Sequence, residues 1–187
     1  MAILTYSSLI KLVNNGVIRA DLKNINGSSI DITLDNIILV ERKPKRADFT
    51  PVIRLTDKCA QMQFDEYDLN ANGGEFILQP GQFVLASSRE VFNLPCDISA
   101  EYKLKSSQAR NALNHLNAGW CDPWWSNSKL TLEFKNDSQY HATALTYGMK
   151  CGQMVFHKSK PVPKQHGYSK KGQYNDQKTT TAAGSLK

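Results

Sequence analysis

No two of the four cysteines, Cys59, Cys96, Cys121 and Cys151, are close enough in sequence to form a C-x-x-C pair. A zinc knuckle and a redox dithiol are therefore not indicated. The histidines, His115, His141, His157 and His166, make no H-x-x-x-H pair, and Pro95-Cys96 is followed by Asp-Ile-Ser rather than by a second cysteine. Protein-held zinc is not expected. The chain has no G-x-x-x-x-G-K-[ST], no G-x-G-x-x-G and no G-x-S-x-G, which removes the P-loop, the dinucleotide fingerprint and the nucleophile elbow. No apolar run approaches the ~20 residues that span a bilayer. The amino terminus, "MAILTYSSLIKLVNNG", lacks both a basic n-region and an A-x-A site and does not read as a signal peptide. These absences predict a soluble cytoplasmic chain with reduced thiols. Any hydrolytic chemistry must rest on a carboxylate and positioned donors.

What is present is enough for a core. Hydrophobic residues make up 41% of 187, a length that predicts one domain plus a tail. The net charge is +6 and the pI near 9.1, which favours anionic partners without choosing among nucleotides, nucleic acid and acidic lipid.

Thr5 is placed to cap a short helix whose stripe is Tyr6, Leu9, Ile10 and Val13, with Gly16 ending it. The pattern then turns to β. Ile30, Ile32 and Leu34 alternate with polar neighbours, "NIILVE" follows, and residues 41–50, "ERKPKRADFT", read as a basic loop. Short strands punctuated by Asn72-Gly73-Gly74, Pro80-Gly81 and Pro95 come next, then "KLTLEFKN" and "GQMVFH". Short strands about ten residues apart predict a mainly β sandwich or closed architecture. From Lys158 onward large aliphatics almost vanish. A β domain over 1–157 and a mobile tail over 158–187 are expected.

Two stretches carry chemistry. In "YKLKSSQAR", residues 102–110, cations and paired hydroxyls crowd together. In Leu130-Thr131-Leu132-Glu133-Phe134, Thr131 and Glu133 share the face opposite the apolar side chains. That face meets either solvent or a pocket.

Read with "NAGWCDPWWSNSKLTLEFKN", the first stretch resembles the dCTP deaminase family of the dUTPase-like superfamily. The typical run there is R-S-S-x-x-R, then T-A-(H or G)-x-I-D-P-G, then T-L-E. "GSSIDITL", "FILQPGQFVLASSREVFNLPCDI", "YGMKCGQMVF" and the tail run "YSKKGQYNDQ" are similar to further family segments in the same order. The resemblance implies a dUTPase-like β-barrel or jelly-roll fold with a short N-terminal helix. It also implies conversion of dCTP and water to dUTP and ammonia, in a homotrimer with active sites between subunits.

By position, Glu133 would be the general acid/base, and Ser106 with the Ala118 carbonyl would hold the attacking water. Arg110 would sit beside the base. Lys105, in place of the family's arginine, and Ser107 would meet the phosphates, within a binding run that includes Gln108 and Ala109. Asp122 would meet the deoxyribose, and the main chain of Thr131 and Leu132 the pyrimidine edge. Tyr168, Gln173 and Gln177 would belong to a tail closing over the triphosphate. Mg²⁺ would arrive on the nucleotide rather than in a protein cage, and dTTP is a candidate inhibitor.

The physics of the first stretch agrees: clustered cations and small donors can replace the hydration of a triphosphate. Four positions depart from the pattern. Lys105 gives up the bidentate fork, and Gln173 stands where many members carry lysine. Trp124 stands where glycine is usual. Gly119 stands where dedicated deaminases often carry histidine. "AGW-x-D-P" looks more like the bifunctional enzymes that continue to dUMP. A dUTPase without deaminase activity remains open, as does, more remotely, a non-enzymatic nucleic-acid-binding protein. No membrane partner is expected. Trp120, Trp124 and Trp125 have two roles open, stacking on a base or packing.

Overall fold

The alternation seen in the sequence is realised as antiparallel pairing. The computed structural model describes residues 2–46, 50–53 and 62–183. Cys59 and part of the basic loop lie outside the described residues. In chain order the strands are β1 (Ala2–Ile3), β2 (Ile18–Arg19), β3 (Ile30–Thr33), β4 (Ile37–Glu41) and β5 (Phe64–Asp68). They continue with β6 (Glu75–Leu78), β7 (Phe83–Ser87), β8 (Val91–Asn93), β9 (Ile98–Leu104) and β10 (Leu113–His115). The last are β11 (Trp120–Cys121), β12 (Ser126–Ser128), β13 (Thr131–Asn136), β14 (Thr143–Thr146) and β15 (Lys150–Lys158). The helices are α1 (Tyr6–Asn14), α2 (Ser106–Ala109) and α3 (Tyr168–Lys171).

One sheet runs β1-β15-β9-β11, with β3 also on β15; a second runs β10-β13-β7-β4-β5. A smaller sheet, β12-β8-β2, and the pair β14-β6 complete the arrangement. Phe156, Phe134 and Phe92 come from the first, second and third of these sheets. All three are fully buried in one cluster with Ile30, Ile32 and Leu132. Each such side chain contributes about 1.5–3 kcal/mol by leaving water, so the sheets stand or fall together. The mainly β class with a short N-terminal helix is thus the observed one.

Helix α1 starts where expected, with Thr5 at the N-cap, but the Thr5 side chain makes no capping bond. Its carbonyl instead accepts from the Ser8 and Leu9 amides, and Leu9 carries the burial. The Pro80-Gly81 signal is realised as the turn between β6 and β7, with Gly81 at φ +75°, a left-handed value that glycine adopts freely. No described helix is long and apolar enough to cross a membrane.

Beyond β15 the described part of the chain, up to residue 183, lies along the domain. Composition is right that little apolar area is available there. Tyr168 packs against the core, and hydrogen bonds hold the segment further: Trp124 Nε1 donates to Val162 O at 2.8 Å and Trp125 Nε1 to Tyr174 O at 2.7 Å. Thr180 Oγ1 donates to Ile37 O at 2.6 Å. Both Gln177 and Thr180 are buried.

Candidate active site

Strand β13 places its odd-numbered residues away from the core. Leu132, Phe134 and Asn136 are buried, while Thr131, Glu133 and Lys135 are half-buried. In the antiparallel register Thr131 faces Ser87, Glu133 faces Leu85 and Lys135 faces Phe83 across to β7. The tail covers this outer face. Gln177 Nε2 reaches Thr131 Oγ1 at 3.4 Å, and Thr180 Oγ1 reaches Ser87 Oγ at 3.0 Å. Sheet and tail enclose a cavity of about 490 Å³ whose lining includes Ala118, Trp120, Thr131, Glu133, Tyr168 and Gln177. The question left by the alternation is settled here: the Glu133 face meets a pocket.

The polar content of the cavity is sparse. Its wall includes Phe83, Leu85 and Leu130, so the Glu133 carboxylate looks into mostly apolar surroundings. Cys121 also lines it, but burial pushes that thiol well up, so it is not a thiolate nucleophile at neutral pH. Burial likewise raises Tyr168, which keeps its phenol a hydrogen-bond donor. Among the described residues no group of three or more His, Cys, Asp or Glu side chains is placed to hold a metal ion.

Of the residues singled out in the sequence, Ala118, Thr131, Glu133, Tyr168 and Gln177 come together around this cavity. Leu132 lies in the core, leaving only its main chain for a ligand. Asp122 is exposed and takes a hydrogen bond from Trp120 Nε1 at 3.0 Å, while Gln173 is exposed. The run Lys105–Arg110 does not line the cavity. It forms α2 and its flanks at the end of β9, with Ser106, Ser107, Ala109 and Arg110 exposed. Lys105 Nζ bonds Asp31 Oδ1 at 2.7 Å, and Gln108 Nε2 donates to Lys150 O at 3.2 Å. Burial pushes the Asp31 carboxyl up, but hydrogen bonds from Lys105, Lys150 and Asn26 outweigh it and hold the group below its ordinary value. One chain therefore presents two features, a cavity with a carboxylate in its wall and, outside its lining, an exposed cationic hydroxyl surface.

The tryptophans divide. Trp125 is buried and stacked on Phe92 at 5.4 Å. Trp124 anchors the tail and Trp120 stays exposed at the cavity.

One residue was missed. His115 on β10 has a side chain only 4% exposed, and its Nε2 lies 3.1 Å from Glu133 Oε2. The distance is that of a hydrogen bond, yet neither of these buried atoms has a formed hydrogen bond. The signal was the alternation of Leu113 and His115 on the strand next to Glu133.

The sequence of residues 3–159 matches the dCTP deaminase-like family. The chain belongs to that family. A relative from Corynebacterium glutamicum (strain R), "dCTP deaminase, dUMP-forming", is 32% identical over 169 residues, covering 89% of this chain and 85% of the relative. A protein of the same name from Streptomyces coelicolor is 33% identical over 182 residues, 93% of this chain and 90% of that one. In fold, the chain is similar to the crystal structure of 2′-deoxycytidine 5′-triphosphate deaminase from Agrobacterium tumefaciens. That likeness has a TM-score of 0.64 at 22% identity, over 84% of this chain and 48% of the other.

Within this member of the dCTP deaminase-like family, Gly119 has a physical reason. Its carbonyl accepts from the Tyr102 amide at 2.8 Å, and an added Cβ would sit 2.9 Å from both Tyr102 Cβ and Tyr102 O. No side chain fits without moving β9 or β11. We expect Gly119→Ala to cost about 1–3 kcal/mol of stability, as overpacking does. A thermal melt of the purified variant checks this; an unchanged Tm would show that the strands yield freely.

Proposed function

We propose that this chain deaminates dCTP and carries the product on to dUMP, with release of ammonia and pyrophosphate. The observation that carries the proposal is Glu133. It is a half-buried carboxylate on the wall of a largely apolar cavity of nucleoside-accommodating size, in a chain whose curated relatives are named dUMP-forming dCTP deaminases.

The chemistry needs one group that takes a proton and later returns it. Water gives a proton to Glu133 as its oxygen bonds to C4 of cytosine, and Glu133 returns that proton to ring N3. The remaining proton of the added hydroxyl reaches the amine as the C4–N bond breaks, which leaves a carbonyl and free ammonia. General acid–base transfer of this kind contributes about 10²–10⁴-fold. Holding the water in line with C4 supplies more; Ser106 and the Ala118 carbonyl are the proposed holders, with Arg110 beside the ring. Lys105 and Ser107, flanked by Gln108 and Ala109, take the phosphates. Asp122 takes the deoxyribose, the main chain of Thr131 and Leu132 takes the pyrimidine edge, and Tyr168, Gln173 and Gln177 close over the triphosphate from a tail that moves. Mg²⁺ arrives as part of the nucleotide substrate.

Separation of the two features supports a further step. None of Lys105–Arg110 lines the Glu133 cavity of its own chain, and in this proposal a neighbouring copy supplies the hydroxyl–cation run. A homotrimer with sites between subunits satisfies this, because cyclic symmetry repeats one heterologous contact three times. Cytoplasmic location and inhibition by dTTP complete the proposal. No nucleic-acid partner belongs to it.

The deciding experiment is incubation with dCTP and separate incubation with dUTP, resolving the products. Ammonia with dUMP from dCTP is expected. Ammonia with dUTP alone would restrict the activity to deamination. Inert dCTP with hydrolysed dUTP would make the chain a dUTPase. No turnover of either, with steeply salt-dependent oligonucleotide binding, would overturn the enzyme proposal.

A further inference from the structure

Nothing in the roles assigned above holds Glu133 in place. A carboxylate that must accept a proton from a water and return it to a ring atom needs a fixed orientation, because a misplacement of about 1 Å is enough to lose most of the benefit of positioning. The surroundings of its second oxygen supply the missing element.

Glu133 Oε2 is sealed from solvent and has no hydrogen-bond partner, and the same is true of His115 Nε2. The two atoms are 3.1 Å apart. His115 has no exit to water in this direction. Its ring packs on Tyr102 with centroids 4.5 Å apart and meets the edge of Phe134 at 6.0 Å. Tyr102 is itself almost fully buried, and its hydroxyl has no hydrogen-bond partner. Buried polar atoms in native proteins are nearly always paired. Two unpaired atoms at hydrogen-bond distance, each the nearest remedy for the other, mark a bond completed by a small rotation of the carboxylate.

We propose that His115 is the positioning residue for Glu133: its Nε2–H donates to Oε2, which clamps that oxygen and leaves Oε1 to address water and pyrimidine. This rests on the deaminase proposal and adds to it a residue that none of the roles assigned above includes. His115 touches no substrate, so its effect is felt in turnover rather than in nucleotide affinity.

The test compares two substitutions of similar shape. His115→Gln keeps an N–H donor close to the position of the imidazole Nε2, whereas His115→Met fills similar volume with no donor, against the same Tyr102 and Phe134 surfaces. Steady-state ammonia release from dCTP is measured for both beside the wild-type protein. The expected result is a kcat at least about tenfold lower for Met, the factor one ordinary hydrogen bond is worth. For Gln, kcat stays within about threefold of wild type, and KM for both stays within about twofold. Equal kcat for Gln and Met, whether both intact or both lost, overturns the positioning role. A KM rise with unchanged kcat overturns it too, since that would make His115 part of the binding surface. Ammonia release by the wild-type protein separates the two levels: if it is absent, the deaminase proposal falls and this inference with it. If it is present, the comparison of the variants judges His115 alone.

Discussion

Glu133→Gln is expected to abolish ammonia release from dCTP, with a loss of at least about 10²–10⁴-fold in kcat, while the variant still binds nucleotide. The amide has nearly the shape of the acid and fits the same place opposite Leu85, so the sheet and cavity are kept. What it loses is a basic oxygen. Without one, the water keeps its proton and addition to C4 stalls. Calorimetric titration with dCTP measures the binding, and a coupled ammonia assay measures the turnover. Retained turnover would remove Glu133 from the mechanism; lost binding with lost turnover would make the carboxylate a ligand rather than a base.

The second large effect concerns two chains at once. Arg110→Ala is expected to be as inactive as Glu133→Gln, yet a mixture of the two inactive variants, co-refolded, should regain activity. The reason is geometric: Glu133 lines the cavity, whereas Arg110 is exposed at the end of α2, outside it. If a site joins Glu133 of one subunit to Arg110 of the next, random equimolar trimers recover roughly one quarter of wild-type activity, because one ordered neighbour pair in four is intact at both positions. Measuring kcat per chain against the mixing ratio gives a curve with its maximum at equal amounts. A flat curve at zero would place both residues in one chain's site and require α2 to move onto its own cavity.

Much of the fold was legible because strand alternation is a local property. The Thr131–Asn136 pattern follows from a period of two alone, and the Pro80-Gly81 turn from the left-handed freedom of its glycine. The N-terminal stripe likewise marked α1, although the Thr5 side chain contributes no cap. The tail was harder. Its composition speaks of scarce apolar surface, and that is true; Trp124 and Trp125 hold it by donating to carbonyls 38 and 49 residues further along the chain, contacts with no sequence periodicity. His115 was hidden for a related reason. A lone histidine on an inward strand face reads as core filler until its neighbour across the ladder is known.

Residue order by itself determined the mainly β class and the family, since these depend on alternation and spacing along the chain, and it singled out the two stretches proposed to carry the chemistry. Only the tertiary structure decided that the Glu133 face meets a cavity rather than water, that the Lys105–Arg110 run stands apart from it, and that His115 lies 3.1 Å from the carboxylate. These are relations between strands and between chain ends, and burial, which sets how strongly a charge and a donor act on each other, exists only once those segments are packed.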